Sequence, residues 1–254
     1  MKKGRKAEDV LIVAADFKPE ENGRLGARQE VINFAKKIKG TGVYIKINSI
    51  LRACGYDLID NLHDLGLKVV ADLKLKDIPE TMEIDAMFLT EAKPEIITVL
   101  CDASVEGMLR VKEQLKGSGS EILGVTVLTS LDEDECQAIY VCSTKAGVVR
   151  LARLAENARL DGLVLAAEEI GVIRKRRELD NFSLNTPAIR PEWTIVGGDD
   201  QAKKRIKTPA QAIEMGVDRI IVGRPITRNK DPQSALLRTL SEIEVALEKL
   251  KLSE

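Results

Sequence analysis

The run Leu67-Lys68-Val69-Val70-Ala71-Asp72-Leu73-Lys74-Leu75-Lys76-Asp77-Ile78-Pro79 sets a buried strand directly against a cluster of charges. Its first part is apolar and β-branched, the pattern of a strand covered on both faces. Four charges then fall between residues 72 and 77. Asp72 and Lys74 are two residues apart, so on a strand they share a side. If that side is the inside of a barrel, both charges are aimed at a pocket. Asp77 lies just past the strand, where the chain is expected to turn.

Outward from this segment, similar strand-like runs recur. They are Val10–Ala15, Val43–Ile47, Lys68–Asp72, Ile96–Leu100, Ile122–Val127, Gly162–Leu165, Ser183–Thr186 and Arg219–Val222. Helical patterns lie between them at 28–39, 56–65, 79–91, 104–115, 143–157, 167–177 and 209–215, with a last one near 231–250. Strict β–α alternation predicts a parallel sheet, and eight repeats predict its closure into a (β/α)8 TIM barrel. Residues 1–254 are read as a single domain of this kind. An open doubly wound sheet would carry a glycine-rich turn after its first strand, where this chain has Asp16-Phe17-Lys18-Pro19. Two stretches, Leu128–Cys142 and Pro187–Thr208, are long for βα loops and are read as lids or binding loops.

Composition narrows the function. The 254 residues are 44% hydrophobic, enough for one substantial core. With 39 basic and 40 acidic residues the net charge is −1, which gives no reason to expect nucleic acid or an anionic membrane as partner. There is no apolar run of membrane-spanning length and no signal-peptide pattern, so a cytoplasmic protein is expected. Cys54, Cys101, Cys136 and Cys142 have neither zinc nor disulfide-framework spacing and are read as small hydrophobes. The single histidine, His63, sits in a helical pattern ahead of a strand, the wrong end of a barrel for chemistry. Acid–base work therefore falls to carboxylates and lysines.

Barrel active sites form at the C-terminal ends of the strands. Strand one ends at Asp16, strand two carries Lys46, and strand three delivers Asp72 and Lys74 with Asp77 beyond. Facing charges in a barrel mouth are costly unless they pair with one another. The loops after strands seven and eight often bind phosphate. Here they contain Gly197-Gly198-Asp199-Asp200-Gln201 and Gly223-Arg224-Pro225. Gly223 lets a ligand approach the backbone, and Arg224 offers a planar fork of donors.

The segment Asp72-x-Lys74-x-x-Asp77-Ile78-Pro79-x-Thr81 resembles the signature of the orotidine 5′-phosphate decarboxylase family. Further matches are Ala15-Asp16, Lys46, Val125–Ser130, Thr186–Pro191, Gly198–Gln201 and Val222–Ile226. The resemblance implies decarboxylation of orotidine 5′-monophosphate to uridine 5′-monophosphate by a homodimer with shared active sites, without metal or cofactor. Lys46, Asp72, Lys74 and Asp77 would form the catalytic network. Asp77, Ile78 and Thr81 would reach the partner's site. Asp16 would bind ribose, and Thr129 or Ser130 the pyrimidine. Gln201, Gly223 and Arg224 would hold the phosphate, with Pro191 in the preceding loop.

The family often has an aromatic and a histidine where Leu75 and Lys76 stand, and Lys76 is expected to face away from the network. It often has Pro-Gly where this chain has Pro187-Ala188, which argues against a positive φ at residue 188. Two other readings compete. Metal-dependent sugar-phosphate lyases and aldolases share the Asp-x-Lys-x-x-Asp core but tend to carry an acid where Lys46 stands, and a lysine there would repel Mg2+. A catalytically silent, phosphate-binding barrel would not need four paired charges.

Overall fold

The structure, a computed structural model, describes residues 4–19, 23–194 and 207–253. The sheet is a closed parallel barrel in the strand order β1 to β8. Its strands are β1 (Leu11–Ala14), β2 (Tyr44–Ile47), β3 (Lys68–Leu75), β4 (Ile96–Leu100), β5 (Glu121–Val125), β6 (Gly162–Val164), β7 (Ser183–Thr186) and β8 (Arg219–Val222). The expected TIM barrel is therefore present, and no helix among the described residues is long and apolar enough to cross a membrane.

Two compact units divide the chain, residues 1–71 with 188–254, and residues 72–187. In the first, β1 pairs with β2 and with β8, and β2 pairs with β3. Leu11, Ile12, Val13, Ile45 and Ile47 are fully buried, as expected of parallel strands covered on both faces. In the second unit, β4, β5, β6 and β7 pair in turn. β7 departs from the apolar rule, because Ser183, Asn185 and Thr186 are buried. Asn185 meets its needs locally: its Nδ2 donates to the Leu163 and Ser183 carbonyls at 3.1 Å.

Helices begin where side chains can satisfy the first free N–H groups. Ser104 Oγ accepts from Gly107 N, Ser143 Oγ from Ala146 N, and Thr208 forms a capping box with Gln211. Pro79 and Pro209 occupy first-turn positions, where a missing N–H costs nothing.

Several boundaries differ from expectation. β3 continues to Leu75 instead of ending at Asp72. β5 ends at Val125 and not Val127, although Thr126 N still bonds the Val164 carbonyl at 3.1 Å. The stretch Leu128–Cys142 is not an open loop: it holds a helix, Glu133–Tyr140, started by a reciprocal Asp132–Glu135 capping box. Pro187–Thr208 lies partly outside the described residues, but its ends meet: Ile189 bridges Lys207, and Arg190 N donates to the Lys207 carbonyl at 3.0 Å. His63 ends the helix Asp57–His63 ahead of β3, as expected. The cysteines form no disulfide; Cys101 and Cys136 are buried, while Cys54 and Cys142 are only half-buried.

Candidate active site

In the first unit, Asp16 follows β1 and Lys46 lies on β2. Lys46 is buried, with 8% exposure, and its ammonium donates to both Asp16 carboxylate oxygens at 3.1 and 2.9 Å. Asp16 stays half open to solvent, so a ligand can reach the side of the pair that the protein leaves uncovered. Backbone pairing supports the geometry, since Ala15 N donates to the Lys46 carbonyl at 2.9 Å. Beside Asp16 opens a cavity of about 890 Å³ that Arg190, Gly223, Arg224 and Arg228 also line. A side chain at Gly223 would make only ordinary contact with Ala14, so the barrel does not require glycine there; glycine keeps that backbone open toward the cavity. An acid–lysine pair beside several guanidinium groups suits a ligand with hydroxyls at one end and an anion at the other.

In the second unit, Asp72 and Lys74 meet as the two-residue spacing predicted. Lys74 Nζ donates to Asp72 Oδ1 at 2.7 Å. The Asp72 side chain is buried, and the Lys74 side chain is about a quarter exposed. A third residue holds both. Thr98, on β4 and 2% exposed, donates its hydroxyl to Asp72 Oδ1 at 2.9 Å and accepts the Lys74 backbone N–H at 2.9 Å. Lys74 takes this position with φ of 49°, left-handed backbone that costs a side-chain-bearing residue about 1–2 kcal/mol. Such a cost persists only where surrounding bonds enforce it, and the Thr98 bond does so.

The left-handed residue also corrects the reading of Lys76. Regular alternation would put Lys76 on the side of Asp72 and Lys74. Instead the strand ends at Leu75, and Lys76 pairs with Asp102 at 2.7 Å. Lys76 stands apart from the network, as expected, but because the strand breaks its period there.

Asp77 is exposed; among the described residues it makes no ion pair, and its Oδ1 accepts from Ile78 N at 2.7 Å. Ile78 precedes the helix Pro79–Ala92 and is 63% exposed, and Thr81 is partly exposed on its first turn. Asp85 on the same helix is pushed up by burial and then by the nearby Asp77 charge. Thr129 and Ser130 are exposed after β5. Pro191 is buried and does not line the cavity, whereas its neighbour Arg190 does. Gln201 lies outside the described residues. Ala188 adopts φ of 62°, so the positive φ that its side chain was expected to prevent is present.

A family model described as "Orotidine 5'-phosphate decarboxylase / HUMPS family" matches residues 9–239. The chain belongs to this family. It is 32% identical to the orotidine 5′-phosphate decarboxylase of Saccharophagus degradans, over 92% of this chain and 94% of that protein. It is 33% identical to that of Actinobacillus pleuropneumoniae, over 90% and 96%. Among solved structures, the Lactobacillus acidophilus orotidine 5′-phosphate decarboxylase superposes with a TM-score of 0.74 at 28% identity, covering 92% of this chain and 99% of that one. An uncharacterized conserved protein from Geobacillus kaustophilus gives 0.75 at 27%, with the same coverage.

Beside the family signature, the structure adds residues that the sequence reading passed over. Thr98 was one polar residue inside the apolar run Ile96–Leu100, and that interruption was its only signal. Arg190 precedes Pro191 in the loop after β7, and only Pro191 was expected at the site. Glu169 follows β6 in a short 3-10 turn and is buried, with 7% exposure. Burial pushes its carboxyl up to about 7, against the hydrogen bond it accepts from Ala166 N at 3.1 Å. No local pattern marked Glu169 as buried.

Proposed function

We propose that the protein decarboxylates orotidine 5′-monophosphate to uridine 5′-monophosphate, a step of de novo pyrimidine biosynthesis in the cytoplasm, without metal or cofactor. The observation that carries this reading is the Lys74 ammonium held 2.7 Å from the buried Asp72 carboxylate, with Thr98 fixing both. The bond from the ring carbon to the carboxylate carbon breaks, CO2 leaves, and the electron pair stays on the ring carbon. That carbanion has poor resonance delocalisation. A preorganised cation beside it stabilises the developing charge, and the same ammonium then delivers the proton.

Asp72 would sit near the departing carboxylate. Two carboxylates about 4 Å apart repel by about 4 kcal/mol at an effective dielectric of about 20, and loss of CO2 relieves this. Stabilisation by Lys74 is the larger part of the mechanism. The β2–β3 register pairs Lys46 with Val70, two residues before Asp72. Lys46 and Asp16, paired at the cavity, would bind the ribose. The cavity beside Gly223, Arg224 and Arg190 fits the phosphate, whose binding energy is available for the reacting end. Either Thr129 or Ser130 meets the pyrimidine.

The active protein is a homodimer in which Asp77, Ile78 and Thr81 complete the partner's site. Support comes from Asp77, exposed and without an ion pair among the described residues, and from the exposed Ile78 beside it. The family description also spans HUMPS enzymes, and Lys46 argues against a metal-dependent reaction of that group.

The assay is loss of orotate-ring absorbance after dialysis against a chelator. Turnover is expected to survive. Activity that disappears with the chelator and returns with Mg2+ would overturn this reading in favour of the metal-dependent one. The Lys74→Ala variant should lose turnover by a factor of at least about 10^3, as expected when a transition-state charge partner is removed, while still binding uridine 5′-monophosphate.

A further inference from the structure

Lys76, which stands where the family often has a histidine, has a partner that no motif names. Its Nζ donates to Asp102 Oδ2 at 2.7 Å. Asp102 lies two residues beyond the end of β4, and its side chain is 25% exposed. Its other oxygen, Oδ1, is buried. Lys76 is thus the cation that neutralises a partly buried carboxylate. Tyr140, which ends the helix after β5, faces the same group. Burial first, and then the Asp102 charge, push its hydroxyl pKa up, so it stays protonated.

The pair ties the loop after β3 to the loop after β4, and its anchor is the residue peptide-bonded to Asp77. Within the turn, the other side-chain bond seen among the described residues is the local one from Ile78 N to Asp77 Oδ1. We propose that Asp102 is a positioning residue: through its ion pair with Lys76 it sets the turn that presents Asp77 to the partner subunit's active site. This rests on the shared-site reading above. With the pair intact, the backbone on the N-terminal side of Asp77 is held. Without it, Asp77 samples positions off the productive one, and misplacement by about 1 Å can cost up to about 100-fold in rate.

Asp102→Asn keeps the shape and removes the charge. Lys76→Met keeps the stem and removes the cation from the half-exposed end of the pair. Each is expected to lower kcat about tenfold with KM changed less than about twofold, and the double variant should be no worse than either alone, because both break one link. Mixed dimers give the deciding readout. In a dimer of one Asp102→Asn and one Lys74→Ala subunit, both defects fall in one site. The other site keeps a sound Lys74 and a sound Asp77, so about half the wild-type activity returns.

A mixed dimer at or below the Asp102→Asn rate would overturn the proposal, since Asp102 would then act on its own subunit's Lys74. A wild-type rate in both single variants would overturn it too. Should Asp102→Asn fail to fold, Lys76→Met carries the same mixed-dimer test. The control pairs Lys74→Ala with Asp77→Ala subunits. Its failure to recover activity would remove the shared site itself, and this proposal with it; its success alongside failure of the Asp102→Asn mixture removes this proposal alone.

Discussion

At the scale of single residues, two groups are held where they are costly. Lys74 is held in left-handed backbone by the Thr98 bond. Glu169 is a buried acid whose carboxyl is raised from 4.5 to about 7, chiefly by burial. In the folded state it holds its proton up to about pH 7, while unfolded chains release it near 4.5. The stability tied to this group is fully present below pH 4.5 and is lost as pH rises through 7. At pH 8 the cost is about 3 kcal/mol. Glu169→Gln can still accept from Ala166 N but cannot ionise. Its melting temperature should exceed that of the parent at pH 8, and the gap should close toward pH 4.5. A gap independent of pH would show that the carboxyl is not raised.

Elements were legible where their signals are local. Eight strand positions followed from apolar runs, and most helices from the helical patterns between them. The helix Glu133–Tyr140 was missed although Asp132-x-x-Glu135 is a capping-box pattern, because the long gap between strands was read as a lid. The end of β3 was missed because Lys74 breaks the strand period through a bond to a residue 24 positions away. The loop after β7 shows a similar limit. Ala188 carries φ of 62°, so glycine should fit this backbone better. Ala188→Gly relieves about 1–2 kcal/mol of left-handed strain and loses about 0.5–1 kcal/mol to unfolded-chain entropy. A net gain of about 0.5–1 kcal/mol in urea unfolding is expected. A loss of stability would mean that contacts of the alanine methyl outweigh the strain.

At the scale of the whole molecule, the helix Pro79–Ala92 buries Met82, Ala86 and Leu89 on one face. It leaves Ile84, Met87 and Phe88 about half exposed on the other, with Ile78 just ahead. An apolar face continuous with the turn that carries Asp77 is the surface that the proposed homodimer would cover. Phe88→Glu places a charge in that face. It should convert dimer to monomer in sedimentation at micromolar concentration and lower kcat/KM at least about tenfold, because a desolvated charge disrupts an apolar interface. A Phe88→Glu protein that remains a fully active dimer would place the interface elsewhere.

The sequence by itself determined the barrel, the ends of the strands where charges gather, and the meeting of Asp72 with Lys74. These depend on short-range periodicity and on spacing along one strand. Only the tertiary structure decided that Thr98 fastens that pair, that Lys76 turns to Asp102, that Arg190 and not Pro191 lines the cavity, and that Glu169 is buried. The Thr98 and Lys76 contacts join residues more than 20 positions apart. Burial and hydrogen bonding across such gaps are set by how the chain packs, and no local pattern of residues encodes them.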